Sequence, residues 1–449
     1  MTLRRLAASL GVYLGLLAAS SAHANPASVV PSGADPGNTV DLHFRLDYGY
    51  ELDRSTLVRE DAGDATDPLD PLPRHKDLAF RQFRHVLTPR AELAIYHDTW
   101  VYAALPLIIT QARELELADG VAPESSTTLQ DGFLPTEGFD ARDPGTAPSG
   151  GLVFRGIGRK GIDQVHLGLG LGLMNQARDR TKPTWKLGGE VRLAVGKVME
   201  FDALAPGANT AVGRGVHEVR VWTSVARRNG RIEGWFDVFW QIPFLVKKES
   251  LFQNGGFGST NARPGQKAGS HAGLEIYALD DKTNGNTISL DLGGGVVGHF
   301  EGREYTEMWE VFALAGDSRV PGPLVLDSDP TDGEPTPFSH PGITNVENHL
   351  ETSAHAAIRA KLGDYVRFAA GVDLVWKTDH LITFADAGLD LPQCGPGVGA
   401  CEDDDNDVVN PETREVNPLH APLIDLVGHR YFSEDNLGFV FKVMGQVLF

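Results

Sequence analysis

Apolar and polar residues alternate along much of this chain with a period of two. The clearest stretch is 40–52, in which Leu42, Phe44 and Leu46 alternate with polar residues. This alternation is typical of a β-strand with one apolar and one polar face. Strands of soluble sheets have about 5–6 residues, whereas a tilted strand that crosses a membrane needs about 9–11. A stretch of this length therefore indicates a strand that crosses a membrane.

The same pattern returns at intervals and predicts twelve strands in all. The other predicted strands are 83–95, 100–111, 164–173, 185–195, 218–225, 232–244, 271–279, 287–299, 351–362, 365–377 and 437–449. The stretch 100–111 is apolar on both faces, so its alternation does not decide which face is outward.

The connections between these strands are alternately short and long. Short turns fall near 97–99, 176–183, 229–230, 280–286 and 362–364, and long polar stretches occupy 53–77, 112–160, 246–270, 302–349 and 378–433, with a moderate one at 199–214. This rhythm, together with a final strand that ends on Phe449, resembles the Gram-negative outer-membrane β-barrels of the porin or transporter type. In that family the turns are periplasmic and the loops extracellular, and a terminal Phe serves as the assembly signal.

The resemblance covers 39–449 and implies a single all-β domain, a transmembrane antiparallel β-barrel. Twelve strands are predicted within a range of ten to fourteen, because bacterial single-chain barrels have even strand numbers. The apolar stretch 419–431 is therefore assigned to the last external loop rather than to a thirteenth strand. The implied partners are outer-membrane lipid, lipopolysaccharide and the barrel-assembly machinery, which would recognise the final strand and Phe449.

The first residues have the features of a secretory signal peptide. Arg4 and Arg5 precede an apolar stretch at 6–19 and a small-residue site at 22–24. We predict a cleaved signal peptide over 1–24, followed by a flexible segment over 25–38. Together with the barrel pattern, this signal predicts a location in the outer membrane of a Gram-negative bacterium.

The strand faces opposite the apolar ones carry charges of both signs. The candidate lumen-lining residues are Arg45, Arg84, Arg90, Glu92, Lys186, Glu190, Arg192, Arg220, Asp237, Glu275, Asp291, Arg359, Arg367, Asp373 and Lys442. A lining of this kind is typical of selective pores, but the same residues can equally be cross-strand ion pairs that stabilise the sheet. Twelve strands predict a narrow lumen, since about eight leave room only for side chains and about sixteen leave an open channel.

Aromatic residues and glycines also follow the strand pattern. The candidates for the aromatic girdles at the two membrane interfaces are Trp100, Tyr102, Trp185, Trp240 and Trp376; the alternative is that they are core aromatics of a soluble sheet. The glycines at 168, 170, 172 and 293–295 lie inside predicted strands. We predict that they permit strand bending or leave open space in the lumen.

The composition restricts the partners of the protein. A net charge of −20 argues against nucleic-acid binding. The two cysteines, Cys394 and Cys401, lie close together in a Gly/Pro-rich stretch, and we predict a surface disulfide between them. A metal or redox pair is the alternative.

Acidic residues are concentrated in the predicted external loops. The densest group contains Asp403, Asp404, Asp405 and Asp407. Carboxylates of this kind are the ligands that Ca²⁺ or Mg²⁺ prefers, but none of the groups has the spacing of an EF-hand, and solvated loop charge is the alternative. No other cofactor is predicted.

These features predict a narrow porin-like channel or transporter for small polar solutes. The alternative is a non-conducting surface protein whose acidic loops bind cations, lipopolysaccharide or a partner. An outer-membrane hydrolase is a third hypothesis, because Asp379 and His380 adjoin the external end of a predicted strand, where an omptin-type site would lie. No second acidic pair accompanies them, so the sequence favours a protein that is not an enzyme.

Overall fold

Twelve antiparallel strands form one closed barrel in the computed structural model, which describes residues 29–35, 39–61, 72–253, 264–327, 337–382 and 421–449. The strands are β1 (Leu42–Glu60), β2 (Arg74–Tyr96), β3 (Thr99–Ala104 and Leu107–Leu117), β4 (Arg159–Ile162 and Gln164–Met174), β5 (Thr184–Ala194), β6 (Val216–Asn229), β7 (Ile232–Val246), β8 (Lys267–Asp281), β9 (Asn286–His299), β10 (His349–Leu362), β11 (Val366–Lys377) and β12 (Tyr431–Leu448). Each strand pairs with its sequence neighbours, and β12 pairs back onto β1. The predicted all-β barrel and its strand number are confirmed.

The outer surface of the barrel is apolar because the predicted alternation holds along the strands. Phe44 and Leu46 are each 49% exposed, whereas the intervening Arg45 is buried inside. An exposed apolar belt of this kind is stable only against lipid, and closure of the sheet satisfies its backbone there. Among the described residues, no helix has the length and hydrophobicity needed to span a membrane.

Two of the predicted girdle residues point the other way. Trp185, Trp240 and Trp376 are exposed on the outer face, but Trp100 and Tyr102 are only 3% and 5% exposed and point into the barrel. The prediction for Trp100 and Tyr102 is therefore wrong. The stretch is apolar on both faces, and its outward positions are taken by Val101 and Leu107.

Four adjacent strands are longer at their extracellular ends than the alternation predicted. β1 reaches Glu60, β2 starts at Arg74, β3 reaches Leu117, and β12 starts at Tyr431 rather than at residue 437. Their outer ends carry inward apolar residues such as Leu57 and Leu78. The inward face therefore changes from polar to apolar beyond the membrane. The alternation of the membrane-spanning part stops there, so the predicted strands end too early.

The external connections fold over the mouth of the barrel. They contain α1 (Thr127–Gln130), α2 (Trp309–Ala315) and α3 (Pro422–Asp425), together with short strands at Phe139–Asp140, Leu152–Arg155, Gly302–Glu304, Leu326–Asp327, Pro337–Phe338, Thr344–Val346 and His380–Leu381. We call the described external segments 118–158, 197–215, 300–327, 337–348, 378–382 and 421–430 the cap. Within the described part of the stretch 419–431, residues 421–430 contain α3 and form no thirteenth strand, as predicted.

Candidate functional site

Every predicted lumen-lining residue lies on a barrel strand with its side chain inside, and most of them are paired. Three arginines pair with a carboxylate two residues away on the same strand. These pairs are Arg45 with Asp47, Arg90 with Glu92, and Arg192 with Glu190, each with a Nε to carboxylate oxygen distance of 2.7 Å. The charges therefore offset one another along the wall rather than forming a region of one sign.

Other inward charges pair between strands. Arg84 donates to Glu51 across β2 and β1 at 2.5 Å, and Lys442 of β12 pairs with Asp373 of β11. The imidazole of His271 contacts Asp237 at 3.0 Å. These contacts are the cross-strand alternative that the sequence left open, so part of the inward charge stabilises the sheet.

Two further inward cations, Arg220 and Lys186, have partners of other kinds. Arg220 lies over the ring of Phe239, 4.0 Å from its centroid, and the Nζ of Lys186 donates to the carbonyl of Val29 at 3.0 Å. The Nη1 of Arg367 is buried, with no hydrogen-bond partner in the described part of the chain. The interior thus contains a cation that the protein's described side chains leave partly unpaired.

Asp291 lies at the centre of a connected cluster of interior polar residues. Its fully buried carboxylate accepts from Trp235 Nε1 at 2.9 Å and from Arg359, and it contacts His355 Nε2 at 3.2 Å. Arg359 also approaches Glu275 at 3.7 Å. One guanidinium therefore joins two carboxylates, which holds β8, β9 and β10 in register.

A cavity of about 80 Å³ opens beside this cluster. It is lined by Asp47, Trp235, His271, Asp291, Ser353, His355, Ala357, Arg359, Ala369, Gly371, Asp373, Lys442 and Met444. Its space comes from small inward residues on β10 and β11, namely Ser353, Ala357, Ala369 and Gly371. The cavity can hold a few water molecules or a small solute in contact with both signs of charge.

On the opposite side of the interior, aromatic rings lie flat on glycines of the neighbouring strand. A Cβ atom added at Gly168 would lie 2.1 Å from the Tyr102 ring, and one added at Gly170 would lie 2.2 Å from the Trp100 ring. A third contact of this kind lies beside the cavity, where Gly295 meets the ring of His271. The predicted open space at these glycines is therefore filled by aromatic side chains.

The cap closes the extracellular mouth with an apolar core. Helix α2 is entirely buried, and Phe312 packs edge-on against Phe133 and Tyr431, with ring centroids 6.0 and 5.7 Å apart. The same cluster includes residues of the barrel wall, such as Leu57 and Leu115. The cap is thus continuous with the upper part of the wall.

A buried ion pair lies on the inner side of this core. The Nε and Nη2 of Arg159 donate to Glu310 Oε1 at 2.9 and 2.8 Å, and its remaining N–H groups donate to backbone carbonyls, including those of Asn209 and Glu200. Both side chains are almost fully buried, and the guanidinium lies 4.8 Å from the Trp309 ring. The sequence reasoning missed this pair because both residues fall in predicted loops, where a lone charge carries no pattern.

Exposed ion pairs hold the outer surface of the cap. Arg319 donates to Asp317 at 2.6 Å and to Asp202 at 2.7 Å. These hydrogen bonds lower the pKa of both carboxyl groups below the usual value. Because Arg319 is half exposed, each contact is worth little compared with the buried pair.

The predicted flexible segment 25–38 includes residues 29–35, which lie at the periplasmic end of the barrel. Gly33 N donates to His97 O at 3.0 Å, and Arg178 donates to Ser32 and Asp35 at 2.6 and 2.5 Å. The contact with Arg178 lowers the pKa of Asp35 well below its usual value. With the Lys186 contact to Val29, these bonds place the segment across the periplasmic opening.

Within the described residues, the candidate hydrolase residues Asp379 and His380 are not joined by a second carboxylate. His380 Nδ1 donates to Thr378 O at 2.9 Å, and its ring stacks on His349 with centroids 4.1 Å apart. No carboxylate is found at hydrogen-bond distance from His380 in the described segments. His380 instead belongs to a stack of histidines.

Several predicted features lie outside the described residues. They are the signal peptide 1–24, Cys394 and Cys401, and the acidic group Asp403, Asp404, Asp405 and Asp407. Phe449 is described: its backbone exchanges hydrogen bonds with Leu42, and its exposed ring packs edge-on against Phe44 at 6.2 Å. Its role as an assembly signal stays a prediction.

The fold and its apolar belt define a transmembrane β-barrel of the outer-membrane type. No family model and no curated protein matches the chain. Similar solved structures include an outer-membrane channel from Pseudomonas putida F1, with 10% identity, 95% of this chain and 99% of that chain covered, and a TM-score of 0.37. They also include a FadL homologue from Pseudomonas aeruginosa (9%, 97% and 99%, 0.34) and the outer-membrane protease OmpT from Escherichia coli (6%, 91% and 97%, 0.26). At these scores, no property of those proteins is transferred to this chain.

Proposed function

We propose that this protein is a narrow, gated outer-membrane channel for small polar solutes, ions included. The observation that carries the proposal is the polar cavity inside the barrel, where Asp291, Arg359 and Lys442 line a space bounded by small residues. Carboxylates and cations placed around a narrow space can replace part of the hydration shell of a solute of either sign. The solute would move along the small-residue side of the interior.

The cap and residues 29–35 account for a closed resting state. The cap covers the extracellular mouth with an apolar core, and residues 29–35 cover the periplasmic opening. A channel closed by folded segments, rather than by the barrel wall itself, can open when those segments move. Conduction would therefore require displacement of both the cap and residues 29–35.

The second candidate function is a non-conducting surface protein that uses the cap to bind cations, lipopolysaccharide or a partner. The filled side of the interior and the continuous apolar core of the cap favour it. Under this hypothesis the cavity is only a packing defect between ion pairs. The two functions differ in one measurable property, which is whether solutes cross the barrel.

Reconstitution into planar lipid bilayers, with current carried by KCl, distinguishes them. We expect a small single-channel conductance in the unaltered protein, and longer open times for Glu310→Ala, which removes the buried partner of Arg159. Swelling of proteoliposomes in glycine solutions should increase in parallel. Absence of both current and swelling, in the unaltered protein and in folded Glu310→Ala, would exclude a channel.

Neighbouring residues on β11 provide a matched pair for locating the path. Ala369 lines the cavity, whereas the next residue, Ala370, lies on the lipid-facing side. Ala369→Trp should abolish most of the current, and Ala370→Trp should leave it unchanged. Equal currents in the two folded variants would show that solutes do not pass through this cavity.

A further inference from the structure

Three histidines from different parts of the chain stack at the extracellular rim. His299 is the last residue of β9, His349 is the first residue of β10, and His380 lies in the short strand of the cap. The ring centroids are 4.4 Å apart between His299 and His349 and 4.1 Å apart between His349 and His380, with interplanar angles of 21° and 14°. All three rings are buried.

The hydrogen bonds of His349 and His380 indicate the protonation state of their imidazole rings. His349 Nδ1 donates to Glu347 O and His380 Nδ1 donates to Thr378 O, both at 2.9 Å. Because a carbonyl can only accept, each of these rings has its proton on Nδ1 and needs none on Nε2. The Nε2 of His349 is buried without a hydrogen-bond partner in the described chain. The contacts therefore fit neutral imidazoles.

The stack does not have the geometry of a metal site. Ring nitrogens that bind one ion must converge on it, whereas nearly parallel stacked rings direct their nitrogens side by side. No group of three or more His, Cys, Asp or Glu residues within the described ranges is arranged to hold a metal. The function of the stack must come from the rings themselves.

His380 connects the barrel wall to the core of the cap. The adjacent Leu381 exchanges hydrogen bonds with Glu347, and Ile382 is fully buried in the cap core. Ile382 also donates to Tyr431 O and accepts from Thr344. The segment 380–382 therefore meets the barrel wall in two ways, through its antiparallel pairing with Ser433 and Phe432 of β12 and through the histidine stack.

Charges of both signs surround the three rings. Lys267 of β8 and Lys377 of β11 act on His299 and disfavour its protonated form, and Lys377 acts in the same way on His349 and His380. The neighbouring carboxylates are Glu351, which contacts His299 Nε2 at 3.1 Å, Glu307 and Asp379, which act on His380, and Glu347, which bonds to Leu381 N. A proton added to any ring brings a positive charge close to two other rings and to Lys377.

We propose that the histidine stack is a pH-sensitive latch, which holds segment 380–382 of the cap on the barrel wall when neutral and releases it when protonated. Burial holds the pKa of His380 below its usual value. A group whose pKa is lower in the latched form than in the released form favours release as the pH falls. The latch is therefore closed at neutral pH and opens below the ordinary histidine pKa of about 6.5.

Hydrogen exchange of the full-length protein in lipid nanodiscs tests the latch, with rates corrected for the intrinsic effect of pH. Between pH of about 7.5 and about 5, on either side of the usual histidine pKa, we expect the protection of amides 380–382 to fall at least about tenfold. His349→Phe keeps an aromatic ring of similar size but cannot titrate. Because His299 and His380 still titrate in this variant, its protection should fall clearly less than in the unaltered protein, by about threefold rather than tenfold.

His75→Gln is the matched control, because His75 is an exposed histidine outside the stack, and it should retain the full response. An equal fall in His349→Phe, or constant protection in the unaltered protein, would overturn the latch. If His349→Phe does not fold, His299→Phe gives the same comparison. The latch deepens the proposed gating, but a released segment in a protein that passes no current would leave the latch intact and exclude the channel.

Discussion

The barrel interior and the cap both fill the space enclosed by the strands, but they do so with different chemistry. In the interior, charges pair along and between strands, and rings of Trp100 and Tyr102 lie on glycines of the next strand. In the cap, apolar side chains from several loops surround α2, with the Arg159–Glu310 pair beneath them. The packing of the interior depends entirely on the strands, whereas the core of the cap comes mainly from loops and joins the upper end of the wall.

Because of this difference, we expect the barrel interior to be rigid and the cap to be mobile. An interior ring cannot move without its strand, and each strand is fixed by hydrogen bonds to two neighbours. The cap depends on its own core and on contacts with the rim, so it can shift while the barrel stays closed. The residues that hold the cap should therefore control access, and those of the interior should control what passes.

The largest effect is expected from Glu310→Ala, which leaves the Arg159 guanidinium buried without its carboxylate. Removing one partner of a buried ion pair typically costs about 3–5 kcal/mol. We expect the cap to become sensitive to protease while the barrel stays folded. The double variant Arg159→Met with Glu310→Met should recover much of this loss, because no unpaired charge remains. Loss of the whole barrel in Glu310→Ala would show that cap and interior are not separable.

Asp291→Asn tests the interior in the same way. The amide cannot accept from Arg359 as a carboxylate does, and hydrogen bonds to charged groups contribute about 1.5–3 kcal/mol. Arg359 retains Glu275 at 3.7 Å, so the loss should be smaller than in the cap. Denaturant unfolding in detergent measures it, and the change in cavity charge should shift ion selectivity towards anions. Unchanged stability and selectivity would contradict the central place of Asp291.

Gly170→Ala tests whether the rings on glycine are tightly packed. The added Cβ would lie 2.2 Å from the Trp100 ring, and overpacking of this kind typically costs about 1–3 kcal/mol. The cost should disappear in a Trp100→Ala background, because the ring is no longer there. Gly189→Ala is the control, since a Cβ there meets nothing within 4 Å. Equal costs for the two glycines would contradict this packing.

The smallest effect is expected at the cap surface, from Arg319→Ala. Exposed ion pairs contribute little to stability because solvent screens them, even with two carboxylates. The contact lowers the pKa of Asp317, so its stabilisation is present above the unfolded carboxyl pKa of about 3.9 and is lost as the pH falls further. Cap unfolding of the two proteins should therefore differ slightly at pH 7 and coincide in strong acid. A difference that persists in acid would require another cause.

The sequence predicts the wall better than what lies inside or above it. Alternation around Phe44 fixes the face of β1 because lipid accepts only apolar residues there. It does not fix Trp100 or Tyr102, since both faces of β3 are apolar and the glycines that accept their rings are on another strand. The register between β3 and β4, which places Gly168 opposite Tyr102, would have been needed to predict this contact.

The contacts that hold the cap join residues far apart in the chain, so no local sequence pattern predicts them. Arg159 and Glu310 are separated by 151 positions, and each is an ordinary loop charge in sequence. His380 is conspicuous only beside Asp379, which suggested catalysis. The stack that contains it requires strand ends and a loop to meet, and only the folded chain shows that meeting.

One side of the barrel extends further beyond the membrane than the other, so the wall supports the cap unequally. β1 has 19 residues and β12 has 18, whereas β11 on the side of the histidine stack has 12. A 19-residue strand is about 60 Å long, so even when tilted it rises well beyond the hydrocarbon core of about 30 Å. The long strands therefore support the cap on one side of the barrel. The opposite edge of the cap lies over the shorter strands and has less support. We expect displacement of the cap to begin at that edge.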